Sequence, residues 1–298
     1  MPEPDRAAVY CLLVNPSAGS GRAMKRLPAI RAELDRHGMH HQIVMTTGIE
    51  QGCRQAREAA GRGEIPVVVS GDGLIGKVGG VLAGTGTPLG VIPGGRGNDL
   101  ARVVGIPTDP AGAVAVLAAG NRRRIDVGEA NGERFLCIAS CGFDSDANRI
   151  ANETRAVSGA LVYAYAALKA LWQWKPAEFT VTVDGAVTTA RGYSVVVANS
   201  QAYGGGMFVA PQALLDDGLL DVVITGEAPK RRFLTGLPQV FKGTHIERDD
   251  VITLRGRVVA VDADRPFAVY ADGDELTDLP MSVSLLEGAL ELIAPAAT

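Results

Sequence analysis

The sequence predicts a two-part α/β protein, with a parallel-sheet domain over about residues 1–125 and a mainly antiparallel, β-rich domain over 126–287. Three observations carry this expectation. Up to about residue 119, short apolar runs alternate with helix-patterned segments, the signature of parallel strands joined by helical crossovers. From Ile125 onward, short strand-like runs follow one another with turn residues between them, several of alternating polarity. Two of the early apolar runs end in glycine-rich turns, Ser70-Gly71-Asp72-Gly73 and Pro93-Gly94-Gly95-Arg96-Gly97-Asn98-Asp99. An open parallel sheet binds its ligands at the carboxyl ends of its strands.

Composition sets the outer limits. The 298 residues are 47% hydrophobic and 21% charged, which describes a folded chain. A net charge of -4 argues against non-specific nucleic-acid binding. No apolar run reaches the roughly 20 residues of a membrane span. The start, MPEPDRAAVYCLLVNP, has no basic region ahead of an apolar core, so no signal peptide is expected and the protein reads as cytoplasmic. Cys11, Cys53, Cys137 and Cys141 read as buried thiols, since no second pair or nearby His completes a metal site around the last two. His37, His40 and His41 likewise read as ordinary surface or core residues.

Residues 9–14 (VYCLLV) form the first expected strand, followed by the small-residue turn Asn15-Pro16-Ser17-Ala18-Gly19-Ser20-Gly21. A helix is expected from Met24 to Arg36, with Leu27, Ile30 and Leu34 on one face and Gly38 as its stop. Residues 41–46 give the next strand, ending at Thr46-Thr47-Gly48, and Cys53 to Ala60 the next helix. Pro66 introduces the central strand VVVS. After it come Gly71-Asp72-Gly73, a short amphipathic segment, and the strand Leu89 to Ile92. Glycines let backbone N–H groups approach a ligand, and a following helix N-terminus favours negative charge, as a phosphate cradle requires. A carboxylate there, Asp72, makes sense with a metal ion or a proton transfer, although Gly-Asp-Gly also serves plain tight turns. A short helix from Asp99 to Val104, a helix over 109–119 and a basic turn at Asn121 to Arg124 complete the first part.

In the second part, strands are expected at 134–140, 179–184, 190–198, 219–225, 250–255, 258–262, 267–271 and 281–286. An apolar helix is expected at 157–173, carrying Tyr163, Tyr165 and Trp172, with Trp174 just beyond; it reads as core or as a lipid-facing edge. The stretch NSQAYGGGMFVAPQALLDDGLLD (199–221) holds Asp216-Asp217-Gly218, which suits either a hairpin turn or a hard, oxygen-ligated cation. Tyr270-Ala271-Asp272-Gly273-Asp274 is again a hairpin signal, and on extended backbone Asp272 and Asp274 would share a face.

These segments in this order resemble the diacylglycerol kinase catalytic-domain family of lipid kinases, in its bacterial soluble form, which is similar to the sphingosine kinases. The likeness runs from Val9 to Pro295 on NPSAGSG, SGDG, PLGVIPGGRGNDLARVVGIP, GFDSD, YGGGMFVAPQALLDDGLLDVVI and DGDEL. It implies an NAD-kinase-like nucleotide domain and a C-terminal β-sandwich, with ATP between them and the last segment, 288–298, returning to the first domain. It places nucleotide contacts on Asn15, Pro16, Ser17, Ala18, Gly19, Thr47, Gly71, Asp72, Gly73, Leu74, Ile75, Gly76, Lys77 and Arg96. Asp72 would reach the phosphates through Mg²⁺. A structural Mg²⁺ would sit on Asp217 with the carbonyls of Leu214 and Leu219. Asp274 would accept the proton of the lipid hydroxyl, with Asp272 beside it. The partners implied are a diacylglycerol-like lipid and a membrane touched peripherally; a homodimer stays open.

Several positions depart from the family pattern: Ser70 and Leu74, which the sphingosine kinases resemble, Gly76, and three that bear on activity. Lys77 stands where the family has an acidic residue, Arg96 where it has Thr, and Asp274 where it has Glu. Arg96 either binds phosphate directly, as a bidentate donor, or crowds the pocket. Three readings therefore remain: an ATP-dependent lipid kinase, a non-catalytic binding member of the fold, and a small-molecule kinase of the NAD type.

Overall fold

The computed structural model describes residues 8–143, 145, 171–172 and 174–296. The chain divides into two compact units, Met1–Val127 with Leu286–Thr298, and Gly128–Leu285. In the first unit, four parallel strands stand in the order β2-β1-β3-β4: β1 (Tyr10–Val14), β2 (His41–Met45), β3 (Ile65–Ser70) and β4 (Gly90–Pro93). β3 is buried along its whole length, as expected of a central parallel strand covered on both faces.

Helices α1 (Arg22–Arg36), α2 (Ile49–Gly61), α3 (Asp72–Leu82), α4 (Asp99–Val103) and α5 (Pro110–Ala119) connect and cover these strands. α1 buries Ala23, Leu27, Ile30 and Leu34, the face its spacing marks, and packs on α5. α2 packs on α3 so closely that a Cβ on Gly52 would stand 2.6 Å from a Leu74 methyl.

The second unit is antiparallel. Its strands are β5 (Arg122–Ala130), β6 (Glu133–Phe135), β7 (Ile138–Gly142), β8 (Ala177–Val183), β9 (Ala186–Ala198), β10 (Leu220–Gly226), β11 (Val251–Gly256), β12 (Val258–Ala263), β13 (Ala268–Ala271), β14 (Asp274–Asp278) and β15 (Met281–Ile293). β5 and β15 have residues in both units. The order β14-β13-β7-β9-β8-β12-β15 runs through the sheet, and β10 pairs with β9 and β11. β8 shows the governing pattern: Ala177, Phe179, Val181 and Val183 are buried and the residues between them face out. Phe143, Trp174, Tyr193, Phe233 and Phe267 form an aromatic group in this core, and Arg265 lies 5.1 Å from the Trp174 ring centroid.

Several expectations are corrected. α2 starts at Ile49, not Cys53, because Gln51 Oε1 accepts from both the Thr47 N–H and hydroxyl and closes the first turn early. The segment after Gly71 is not a turn but the first turn of α3. Asn121 to Arg124 is not a basic turn, since β5 begins at Arg122. The run 134–140 is two strands broken at Leu136-Cys137, and 281–286 is the front of one long strand, β15. A helix over Lys230–Val240, here α6, and strand β14 were not expected. Most of the apolar helix expected at 157–173 lies outside the described residues; of its aromatic residues Trp172 is exposed, while Trp174 beyond it is core. All four cysteines are free and buried, as read.

Candidate functional site

The carboxyl ends of β2, β1, β3 and β4 lie on one edge of the first sheet because all four strands run the same way. Thr47, the loop Asn15–Gly21, Gly71 with the start of α3, and the loop 94–98 therefore converge there. The contacts between them are intimate. Gly71 and Gly95 face each other through bare backbone: a Cβ on Gly71 would stand 3.1 Å from the Gly95 Cα, and one on Gly95 would overlap the Gly71 Cα. A Cβ on Gly19 would collide with the Gly94 carbonyl oxygen. The loops after β1, β3 and β4 are thus interlocked through main chain, with Gly94 and Gly95 buried and Gly19 and Gly71 half-buried.

Side chains fix that surface. Asn98, buried and in the left-handed region at φ 54°, accepts from the Gly95 N–H at 2.8 Å through Oδ1 and donates Nδ2 to the Gly95 carbonyl at 3.2 Å. Arg22 donates to the Gly95 carbonyl at 2.9 Å, and Arg26 to the carbonyls of Pro93 and Thr108 at 3.2 and 2.7 Å. Arg96 reaches back to Ser20 Oγ at 2.8 Å. Sequence reasoning missed Asn98, Arg22 and Arg26. An Asn ahead of a short helix was the one available signal for Asn98, whereas the arginines look like solvated helix surface.

Asp72 is the centre of this arrangement. Its Oδ2 accepts from the Asn98 N–H and its Oδ1 from the Asp99 N–H, both at 2.7 Å. The carboxylate therefore clamps the β4 loop to the start of α3. Burial pushes the Asp72 carboxyl above the usual carboxylate range and Asp99 pushes the same way, while the amides of Asp99, Asn98 and Leu100 pull it back. Gly73, Leu74, Ile75, Gly76 and Lys77 are helical, and Leu74, Ile75 and Gly76 are buried. Lys77 is half-buried, close enough to Cys53 on α2 to be felt by its thiol. Asn15 Oδ1 accepts from both the N–H and hydroxyl of Ser17, at 3.0 and 2.8 Å, shaping the loop that contains Pro16 and Ala18.

The other predicted residues lie in the second unit. Asp272 and Asp274 do not share extended backbone. Asp272 (φ 52°) and Gly273 (φ 99°) form the two-residue turn between β13 and β14, the left-handed geometry for which Asp-Gly is suited. The Asp272 carboxylate accepts from the N–H groups of Leu136 at 2.7 Å, Cys137 at 2.9 Å and Ile138 at 3.4 Å, across the break between β6 and β7. Asp274 is the first residue of β14 and is half-buried.

Asp216-Asp217-Gly218 is not a hairpin but part of the long loop between β9 and β10. Its three glycines, 204–206, all have positive φ, 65° to 101°, and close a small loop between Tyr203 and Met207. Asp217 accepts from the Leu219 N–H at 3.1 Å and is paired with Arg255, which also lies 3.4 Å from Asp221. Asp221 Oδ2 is buried without a hydrogen-bond donor, and burial raises its carboxyl more than Arg255 lowers it. Two carboxylates thus stand against one guanidinium, and Leu219 is tied to Asp217 through its N–H. Among the described residues, no three His, Cys, Asp or Glu side chains converge as a metal cluster.

Comparison with known proteins bears on the family and the fold. The family model described as the diacylglycerol kinase catalytic domain matches residues 9–130. The one described as the YegS C-terminal NAD kinase beta sandwich-like domain matches residues 137–294. The chain is 34% identical over 291 residues to a diacylglycerol kinase of Mycobacterium tuberculosis (strain ATCC 25618 / H37Rv), covering 95% of this chain and 94% of that protein. It is 27% identical to a diacylglycerol kinase of Bacillus subtilis (strain 168), covering 95% of each. A crystal structure of a diacylglycerol kinase from Bacillus anthracis str. Sterne shares the fold, with a TM-score of 0.75 at 22% identity over 99% of this chain and 100% of that one.

Proposed function

The chain belongs to the diacylglycerol kinase family of lipid kinases, and from that premise we propose that it transfers the γ-phosphate of ATP to the hydroxyl of diacylglycerol or a related lipid alcohol. The observation that supports this reading most is the interlocking of Gly19, Gly71, Gly94 and Gly95 at the carboxyl edge of the parallel sheet. Main chain packed that tightly, beside the N-terminus of α3, lets a polyphosphate approach the loops with no side chain between.

Phosphoryl transfer asks for positioning, charge neutralisation and a proton acceptor, and little covalent work from the protein. In this reading the loop Asn15–Gly19, Thr47, Gly71 with the first turn of α3 to Lys77, and Arg96 hold the nucleotide. Asp72 keeps the two glycine loops in register and would reach the phosphates through the metal ion. Mg²⁺, when bound, supplies neutralisation of the phosphate charge. Asp274 accepts the hydroxyl proton, and Asp272 holds the turn that carries Asp274. A second, structural cation would be held by Asp217 with the carbonyls of Leu214 and Leu219. Among the described residues no helix is long and apolar enough to cross a membrane; in this reading the lipid is met by peripheral contact.

The test is transfer of labelled γ-phosphate from ATP to diacylglycerol in mixed micelles with Mg²⁺, with product identified by mass spectrometry. Transfer is expected, and Asp72→Ala is expected to abolish it. ATP binding by calorimetry without product across diacylglycerol, ceramide, sphingosine and polyprenol would instead assign a non-catalytic binding member, the reading that Lys77, Arg96 and Asp274 motivate.

A further inference from the structure

Helix α6 (Lys230–Val240) lies on the second unit with one face to solvent, and that face is mixed. Lys230, Arg231, Leu234 and Pro238 share one helix face, at intervals of three and four from Leu234, and Phe241 and Lys242 follow just past the helix end. All six are exposed, Leu234 by 39% and Phe241 by 54%. The opposite face carries the buried Gly236 and the half-buried Phe233, Leu237 and Val240. Trp172 sits beside the helix start: its carbonyl accepts from Lys230 Nζ at 2.9 Å, and its side chain is 84% exposed. Among the described residues of this unit, Trp172, Leu234 and Phe241 are thus large apolar side chains left open to water.

Charge identifies the occupant. Between Pro229 and Gly243 the chain has Lys230, Arg231, Arg232 and Lys242 and no Asp or Glu, in a protein of net charge -4. Arg232 is taken up by Asp249 and Asp250. Among the described residues, Arg231 and Lys242 have no carboxylate partner, and the Lys230 ammonium rests on a carbonyl. Apolar side chains spaced singly between cations, with an indole at the edge, match the layer where anionic headgroups meet acyl chains, rather than a dry protein groove. We propose that this face of α6, with Trp172, docks on the anionic surface of a lipid bilayer. This deepens the lipid-kinase reading, because the bilayer is where a diacylglycerol-like acceptor dissolves.

The experiment uses the full chain without ATP, mixed with vesicles of phosphatidylcholine alone or of phosphatidylcholine with phosphatidylglycerol. The protein has two tryptophans, and Trp174 is already buried, so a vesicle-induced blue shift reports Trp172. Binding to the anionic vesicles with such a shift is expected. Trp172→Phe removes the shift, and Arg231→Glu with Lys242→Glu lowers affinity by about tenfold or more, at roughly fivefold for each charge near the surface. Equal vesicle affinity of the parent and the double variant overturns the proposal. So does binding with no shift, or self-association that Phe241→Ala abolishes while vesicles go unbound, which assigns the face to a second copy of the chain. Transfer to detergent-dispersed diacylglycerol separates the two readings. If it persists while docking fails, only the docking is wrong; if docking holds and no acceptor is phosphorylated, only the kinase reading is wrong.

Discussion

Gly71 and Gly95 touch through Cα atoms, with no side chain between them to give way. A methyl on Gly95 meets backbone on one side and Asn98 Oδ1 at 3.1 Å on the other. Gly95→Ala is therefore expected to cost about 1–3 kcal/mol, the usual cost of overpacking. It should also weaken ATP binding by roughly tenfold or more, because the β4 loop must move off α3 (1.4 kcal/mol per tenfold). Urea unfolding and calorimetry measure the two effects. Gly61→Ala is the control: the added Cβ meets nothing within 4 Å at the end of α2, so stability should hold or rise slightly. The glycine-rich turns were legible in the sequence from their place after the apolar runs. Asn98, Arg22 and Arg26 were not, because each acts on a backbone carbonyl or amide that only the fold brings near.

At the scale of elements, the turn between β13 and β14 does two jobs. Asp272 shapes the turn with its left-handed backbone, and its carboxylate ties down the N–H groups of Leu136, Cys137 and Ile138 where β6 breaks from β7. Asp272→Ala leaves these donors without that acceptor and places Ala at positive φ, so a loss of about 3 kcal/mol is expected. Asp272→Asn keeps an acceptor and suits the left-handed region, so it should lose far less. Urea midpoints of the two variants check this; equal losses would remove the carboxylate from the account. The sequence showed an Asp-Gly hairpin signal here. It did not show that Asp272 is spent on backbone while Asp274 opens the next strand, because a positive φ at both turn residues takes the two carboxylates off a common extended face.

The whole molecule depends on β15. Its front half pairs with β12, Val258 against Ser284 through Val261 against Met281. Its end serves the first unit, where Leu89 bridges Leu292 in parallel, the Gly84 N–H donates to the Ala289 carbonyl at 2.7 Å, and the Gly288 N–H to Asp126 at 2.6 Å. Leu290, Leu292 and Ile293 are at most 1% exposed. Removing residues 288–298 strips three fully buried side chains, about 5–9 kcal/mol of burial, which is comparable with the entire stability of a domain. The truncated chain is expected to lose protected amides throughout β1–β4 and to lose ATP binding, as read by hydrogen exchange and calorimetry. Retention of both would show that the first unit holds without its last strand.

The sequence by itself determined most strands and helices of the first unit, the change from parallel to antiparallel pattern near residue 125 and the glycine turns, and its motifs carry the likeness to the family. The elements and turns are written in local periodicity and in residues with special backbone freedom, so neighbours along the chain suffice to read them, whereas the family rests on the resemblance of whole motifs in order. Tertiary structure alone decided that Asp72 clamps Asn98 and Asp99, that Arg255 pairs with Asp217, and that α6 turns basic and apolar side chains outward together. Each of these joins groups far apart in sequence or sorts one helix by burial, and the packing of the whole unit sets both.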